Sequence, residues 1–199
     1  MRLFSAVILA GGQSSRFGAD KALLPLGGQP LLARTVAALA ALTADLIVVT
    51  NDPAAHGALG LPARLVPDVE PGRGPLMGIY SGLRAARHDY AFVVACDMPL
   101  LSLPLMRHMA TLVAGYDVVI PYLDGLFEPL HAIYARSCLP AMAHVLDRGG
   151  RQIIAFFPDV RVRRVGQETV DRFDPQGLSF VNVNTEADWD RVQRLLDTP

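Results

Sequence analysis

Cysteine is scarce in this chain, with two in 199 residues, Cys96 and Cys138. Two thiols exclude a disulfide framework and a four-cysteine zinc spacing. Cys96 lies inside an apolar run and is expected to be a buried free thiol. Net charge is also small, −1 at neutral pH, so no global field favours nucleic acid or a membrane surface. No apolar run approaches the roughly 20 residues of a membrane span. The first residues lack the basic, apolar and cleavage-site order of a secretory signal. Internal repeats, low-complexity segments and a long linker are missing too. These absences point to a protein of a reducing compartment, expected in the cytoplasm, with neither nucleic acid nor membrane as partner.

What is present is a large apolar fraction, 51% hydrophobic against 19% charged, enough for one sizeable core in a single domain spanning 1–199. Phe4–Ala10, Asp45–Thr50, Tyr90–Cys96 and Tyr116–Pro121 are continuously apolar and β-branched, as in strands covered on both faces. Helical patterns fall between them: Pro30–Leu42, Pro75–Arg87, a segment capped by Ser102 that stops at Gly115, and a final one capped by Thr185 with Asp188 three residues on. Alternating strands and helices predict right-handed crossovers and a three-layer α/β/α fold with a mostly parallel central sheet. The later runs His131–Ala135, Val160–Val165 and Phe180–Val183 are shorter and more polar, so mixed or antiparallel strands are expected there. The Pro/Gly-rich stretch from Leu59 to Pro75 is predicted to form active-site loops rather than a domain hinge.

Two phosphate-binding loops are absent in their usual form. Gly12 and Gly18 are separated by five residues and followed by Ala19, which fails the Walker A spacing; adjacent Gly11 and Gly12 fail the dinucleotide pattern. The first strand leads instead into a glycine pair and a polar stretch with Arg16 and Lys21. Glycine lets the backbone approach a ligand, exposed N–H groups can cradle an anion, and the two cations add fixed charge. A tight strand-to-helix turn with two solvated cations would read the same. The second feature is Asp97, directly after an apolar strand and before Met98-Pro99. Such a carboxylate can be a turn residue, or can hold Mg²⁺, which takes one or two carboxylates with substrate phosphates and water. An anion cradle and a metal ligand, each at the end of a strand, are what a nucleoside triphosphate requires.

The stretches LAGGQSSRFGADKALLPLGGQPLL, PDVEPGRGPLMGI, ACDMPLL, EPLHAIY and NVNTEADW occur in that order from Leu9 to Trp189. Together they resemble the molybdenum cofactor guanylyltransferase family, MobA-like nucleotidyltransferases of a Rossmann-like fold. Met98 departs mildly from the pattern, standing where threonine often follows the aspartate. The resemblance implies transfer of GMP from GTP to Mo-molybdopterin, with Mg²⁺ as cofactor. Leu9, Ala10, Gly11, Gly12, Lys21, Asn51, Asp68 and Asp97 would bind the nucleotide. Arg16, Lys21 and Asp97 would be catalytic, and Asp97 would ligate the metal. Residues 1–100 would form a nucleotide-binding half and 101–199 a molybdopterin-binding half. GTP and Mo-molybdopterin would be the substrates, with molybdoenzyme chaperones or other cofactor-biosynthesis proteins as further candidate partners.

In the second half, Glu128 could accept from the pterin N–H donors or be a surface residue. Asn182 and Asn184 alternate onto one face of an extended segment, suited to the second substrate, although Asn184 could instead cap the last helix. His131 is expected to be a structural histidine with its hydrogen bonds satisfied. Arg148 and Arg151 could hold the pterin phosphate or be solvated. A cytidylyltransferase, a sugar-phosphate nucleotidyltransferase and a non-catalytic cofactor carrier stand as alternative functions.

Overall fold

In the computed structural model, which describes residues 4–11 and 20–197, the chain begins with β1 (Phe4–Leu9), the hairpin β2 (Pro25–Leu26) and β3 (Gln29–Pro30), and α1 (Leu31–Ala40). Next come β4 (Asp45–Val49), α2 (Pro53–Gly57), β5 (Arg64–Val66), α3 (Pro75–Ala85), β6 (Tyr90–Ala95) and α4 (Leu103–Thr111). The second half holds β7 (Val118–Leu123), β8 (Leu126–Phe127), β9 (His131–Ala135), α5 (Leu139–Asp147), β10 (Val162–Gly166), α6 (Gln167–Phe173) and α7 (Glu186–Asp197).

The main sheet has the order β10-β7-β9-β6-β1-β4-β5, with β8 beside β7. β1 pairs in parallel with β4 and β6, β4 with β5, and β10 with β7. Among the described residues, β9 and β8 run against their neighbours. The mostly parallel sheet expected from the sequence is therefore present, and the mixed pairing of the later strands comes from β9, antiparallel between β6 and β7.

β1 is buried at all six positions. Its side chains alternate between two cores. Phe4, Ala6 and Ile8 pack with α1 (Leu32, Val36, Leu39), α4 (Leu105, Met106, Met109) and α6 (Val170). Val7 and Leu9 pack with α3 (Leu76, Met77, Ile79, Leu83) and α5 (Met142, Leu146). Both faces are covered, and for that reason the strand reads as an unbroken apolar run. α3 crosses very close to β1: a Cβ on Gly82 would stand 2.3 Å from Val7 Cγ1. Only glycine permits that approach.

A third, smaller core joins Leu26 and Leu31 to Val183 and Val192. The turn of the hairpin, Gly27-Gly28, has φ of 57° and 78°, the left-handed pair that a two-residue hairpin demands. Gly27 N–H donates to Gln193 Oε1 at 2.9 Å, fixing the hairpin to α7.

Several local expectations change. Phe180–Val183 is not a strand: Leu178–Phe180 forms a 3₁₀ turn, and the extended residues after it join no sheet. The helix begun by Ser102 ends at Thr111; Gly115, with φ of 82°, sits in the turn before β7. The Pro/Gly-rich stretch contains the short strand β5. Cys138 is the buried thiol, whereas Cys96 is only partly buried.

Candidate active site

The carboxyl ends of β1, β4 and β6 open on one edge of the sheet, where ligands bind in open α/β folds. α1, which follows β1, packs on one face, and α3, which precedes β6, on the other, so a crevice forms between them. A cleft of about 1100 Å³ fills this edge. Leu9, Ala10, Gly11, Lys21, Asn51, Asp68, Asp97, Asn182 and Asn184 all line it. Nine of the residues singled out in the sequence thus meet in one place. Gly12 and Arg16 lie outside the described residues.

At one end of the cleft, Lys21 Nζ lies 3.2 Å from Asp97 Oδ2 and donates to Asn184 Oδ1 at 2.9 Å. Asp20 precedes Lys21 and accepts from Ala22 N at 2.9 Å, capping the short turn Lys21–Leu23. Asp97 lies two residues past β6, in the turn that follows the strand. Val183 N–H donates to the Asp97 carbonyl at 2.9 Å. The Val183 side chain is wholly buried in the third core. Alternation then turns Asn182 and Asn184 to the cleft. Thr185 rather than Asn184 caps α7: its hydroxyl accepts from Asp188 N at 3.1 Å while Asp188 Oδ2 accepts from Thr185 N at 2.8 Å, a reciprocal capping box.

At the other end, Asn51 Nδ2 donates to Asp68 Oδ2 at 2.8 Å and Asn51 Oδ1 accepts from Asp68 N at 3.1 Å. Asp68 Oδ1 is buried with no hydrogen-bond partner among the described residues. A buried carboxylate oxygen without a donor is costly; this one is turned towards Gly78 of α3, while the Asp68 residue as a whole lines the cleft. α3 starts beside it, with Gly74 and Pro75 lining the cleft, so its positive N-terminal end faces the same space.

Among the described residues no group of three or more His, Cys, Asp or Glu gathers to hold a metal. Asp97 as a lone carboxylate still suits Mg²⁺, which fills its octahedron with substrate phosphates and water. Cys96 is among the residues lining the cleft, but its side chain packs against the first core, and burial, followed by the neighbouring Asp97 charge, pushes the thiol up to about 12.

Glu128 does not line the cleft. It sits half-buried between β8 and β9, and burial raises its carboxyl; Leu130, two residues on, does reach the cleft. Arg148 and Arg151 are exposed. His131 is buried as expected, at 1% exposure, but not satisfied: neither ring nitrogen has a partner among the described residues, and the ring packs edge-on against Phe180 at 5.0 Å. Burial lowers its pKa to about 4, against a smaller raising effect of Asp174.

Sequence reasoning missed His56, Thr50, Asp52 and Asp20, all of which line the cleft. The pair Asp52-Pro53 was the available signal, a cap followed by proline in the first helical turn, and Asp52 does accept from Ala55 N at 3.0 Å.

The MobA-like NTP transferase domain family matches residues 6–165. The probable molybdenum cofactor guanylyltransferase of Pelotomaculum thermopropionicum is 37% identical over 184 residues, covering 92% of this chain and 89% of that protein. The molybdenum cofactor guanylyltransferase of Desulfosudis oleivorans is 35% identical over 198 residues, 97% and 96% of the two chains. Among solved structures, the molybdopterin-guanine dinucleotide biosynthesis protein A of Archaeoglobus fulgidus superposes with a TM-score of 0.85 at 27% identity, covering 98% of this chain and all of that one. With the sheet, the strand-end cleft and near full-length similarity in agreement, the chain belongs to the MobA-like NTP transferase family.

Proposed function

We propose that this protein is a molybdenum cofactor guanylyltransferase: it transfers GMP from GTP to Mo-molybdopterin and releases diphosphate. The observation that carries this reading is one cleft with a cation-carboxylate pair, Lys21 and Asp97, at one end and the hydrogen-bonded pair Asn51 and Asp68 at the other. The full-length similarity to proteins named for guanylyl transfer supports the choice of base.

A terminal phosphate oxygen of molybdopterin attacks the α-phosphorus of GTP. The bond from that phosphorus to the β-phosphate oxygen breaks, and diphosphate leaves with the electron pair. No protein nucleophile is needed, because the attacking phosphate is already largely ionised near neutral pH, and such transfers depend on positioning and charge neutralisation. Lys21 neutralises the triphosphate, and Arg16 steadies the departing diphosphate. Asp97 would hold Mg²⁺, which would supply Lewis-acid stabilisation of the phosphate charge. Asn51 and Asp68 hold the guanosine, alongside the backbone of Leu9 to Gly12. Asn182 and Asn184 contact molybdopterin at the Asp97 end, and the pterin extends past Leu130 towards Glu128. Residues 1–100 thus serve the nucleotide and 101–199 the second substrate, within one domain.

No helix among the described residues is long and apolar enough to cross a membrane. The cytoplasm is the compartment expected for this reading, with molybdoenzyme chaperones or other cofactor-biosynthesis proteins as the candidate recipients of its product. The test is thermal shift with Mg²⁺ and each of the four nucleoside triphosphates. GTP is expected to raise the melting temperature by mass action, and the other three much less, since a site built to pair guanine leaves buried groups unpaired with another base. Greater stabilisation by CTP would replace guanylyl with cytidylyl transfer.

A further inference from the structure

A buried histidine connects the end of β4 to the turn that carries Lys21. His56 on α2 is 1% exposed, and a ring so fully removed from water needs partners at both nitrogens. It has them: Nδ1 lies 2.6 Å from Thr50 Oγ1 and Nε2 lies 2.9 Å from Asp20 Oδ2. A carboxylate only accepts, so Nε2 carries a proton towards Asp20 whether the ring is neutral or charged. With a neutral ring, Nδ1 accepts from the Thr50 hydroxyl, whose oxygen in turn accepts from Asp52 N–H at 3.0 Å. The second Asp20 oxygen caps the Lys21–Leu23 turn through Ala22 N–H. His56 thus grips the residue immediately before Lys21 from the β4 side, while Lys21 itself reaches across to Asp97 and Asn184. The hydroxyl in this chain is wholly buried, as Thr50 is 1% exposed, so the set resembles a nucleophile-histidine-carboxylate triad without presenting a nucleophile.

We propose that His56 is a positioning residue for Lys21: through Asp20 it fixes the turn that holds the ammonium over the triphosphate. The inference rests on the nucleotidyltransferase reading of the cleft. Fixing one end of a flexible lysine limits the orientations it must give up when the phosphates arrive, and small misplacements of such groups are costly to rate.

A double-mutant cycle tests this, with diphosphate release from GTP and Mo-molybdopterin in the presence of Mg²⁺ as the readout, well below every melting transition. His56→Leu is expected to lower kcat/KM by about tenfold. In the Lys21→Ala background, where no ammonium remains to be positioned, the same substitution is expected to cost less than about twofold. His56→Gln, whose amide N–H can reach Asp20, should recover most of the loss. Asp20→Ala, at a partly exposed site, should reproduce the His56→Leu pattern and serves in its place if that variant does not fold. Equal losses with and without Lys21, accompanied by a lower melting temperature, overturn the proposal and leave His56 as a brace for α2. If the wild type turns over no nucleoside triphosphate at all, the nucleotidyltransferase reading fails and this inference with it; additive losses in an active enzyme remove this inference alone.

Discussion

Acid should weaken this fold through one side chain, His131. Its ring is wholly buried, lacks a hydrogen-bond partner among the described residues at either nitrogen, and is held neutral by burial with a pKa of about 4. In the unfolded chain an imidazole titrates near 6.5. The folded value is the lower one, so the unfolded state binds the proton first. Stability is complete above about pH 6.5 and is lost as pH falls through the window from 6.5 to 4. At pH 5 the unfolded histidine is almost fully protonated and the folded one only about a tenth, which by linkage removes about 2 kcal/mol relative to pH 7. Asp174, the charge that favours the imidazolium, is occupied in accepting from Leu178 and Ser179 N–H at 3.1 and 2.9 Å. For a chain of this size the loss corresponds to a fall of about 4–8 °C in melting temperature. His131→Leu removes the titrating group and two buried unpaired polar atoms while keeping similar volume. Urea unfolding of both proteins at pH 7 and pH 5 measures the effect. The variant is expected to be no less stable at pH 7 and to have an acid-induced loss about 2 kcal/mol smaller than that of the wild type. An unchanged loss between pH 7 and pH 5 in the variant would refute the reasoning.

Other perturbations separate the parts of the site. Asp97→Asn keeps the shape of the side chain but removes the charge that would hold Mg²⁺; activity should fall on the order of a hundredfold with little change in melting temperature, and steady-state rates with a melting curve check both. Asn182→Ala should weaken molybdopterin binding while leaving GTP affinity within about threefold. Asn184→Ala should affect both ligands in titrations, because the same amide holds Lys21. Gly82→Ala would place a methyl 2.3 Å from Val7 Cγ1, and should cost about 1–3 kcal/mol by denaturant unfolding despite the better helix propensity of alanine.

The sequence disclosed most where burial or local chemistry was decisive. β1, β4 and β6 were legible as uninterrupted apolar runs because both faces of each are covered. The start of α7 was legible because Thr185 and Asp188 close their capping box within three residues. β5 was hidden, being only three residues long and set in a Pro/Gly-rich stretch. Val181 and Val183 alternate as a strand would, and the segment is extended, but the N–H of Val183 is spent on the Asp97 carbonyl instead of a ladder. Of the site, Lys21, Asp68 and Asp97 stand in recognisable stretches, yet the contact between Lys21 and Asn184 spans 163 residues and arises from no local pattern. His56 is a single histidine whose partners are 6 and 36 residues away; no spacing rule marks it, and only the packing of α2 beneath the cleft explains it.

Diphosphate release, measured with Mo-molybdopterin and each of GTP, CTP, ATP and UTP under identical Mg²⁺, is the most direct test of guanylyl transfer by this cleft. Release from GTP, dependent on molybdopterin and greatly reduced in Asp97→Asn, is the expected result. Faster release from CTP, or release from GTP that needs no molybdopterin, would contradict it.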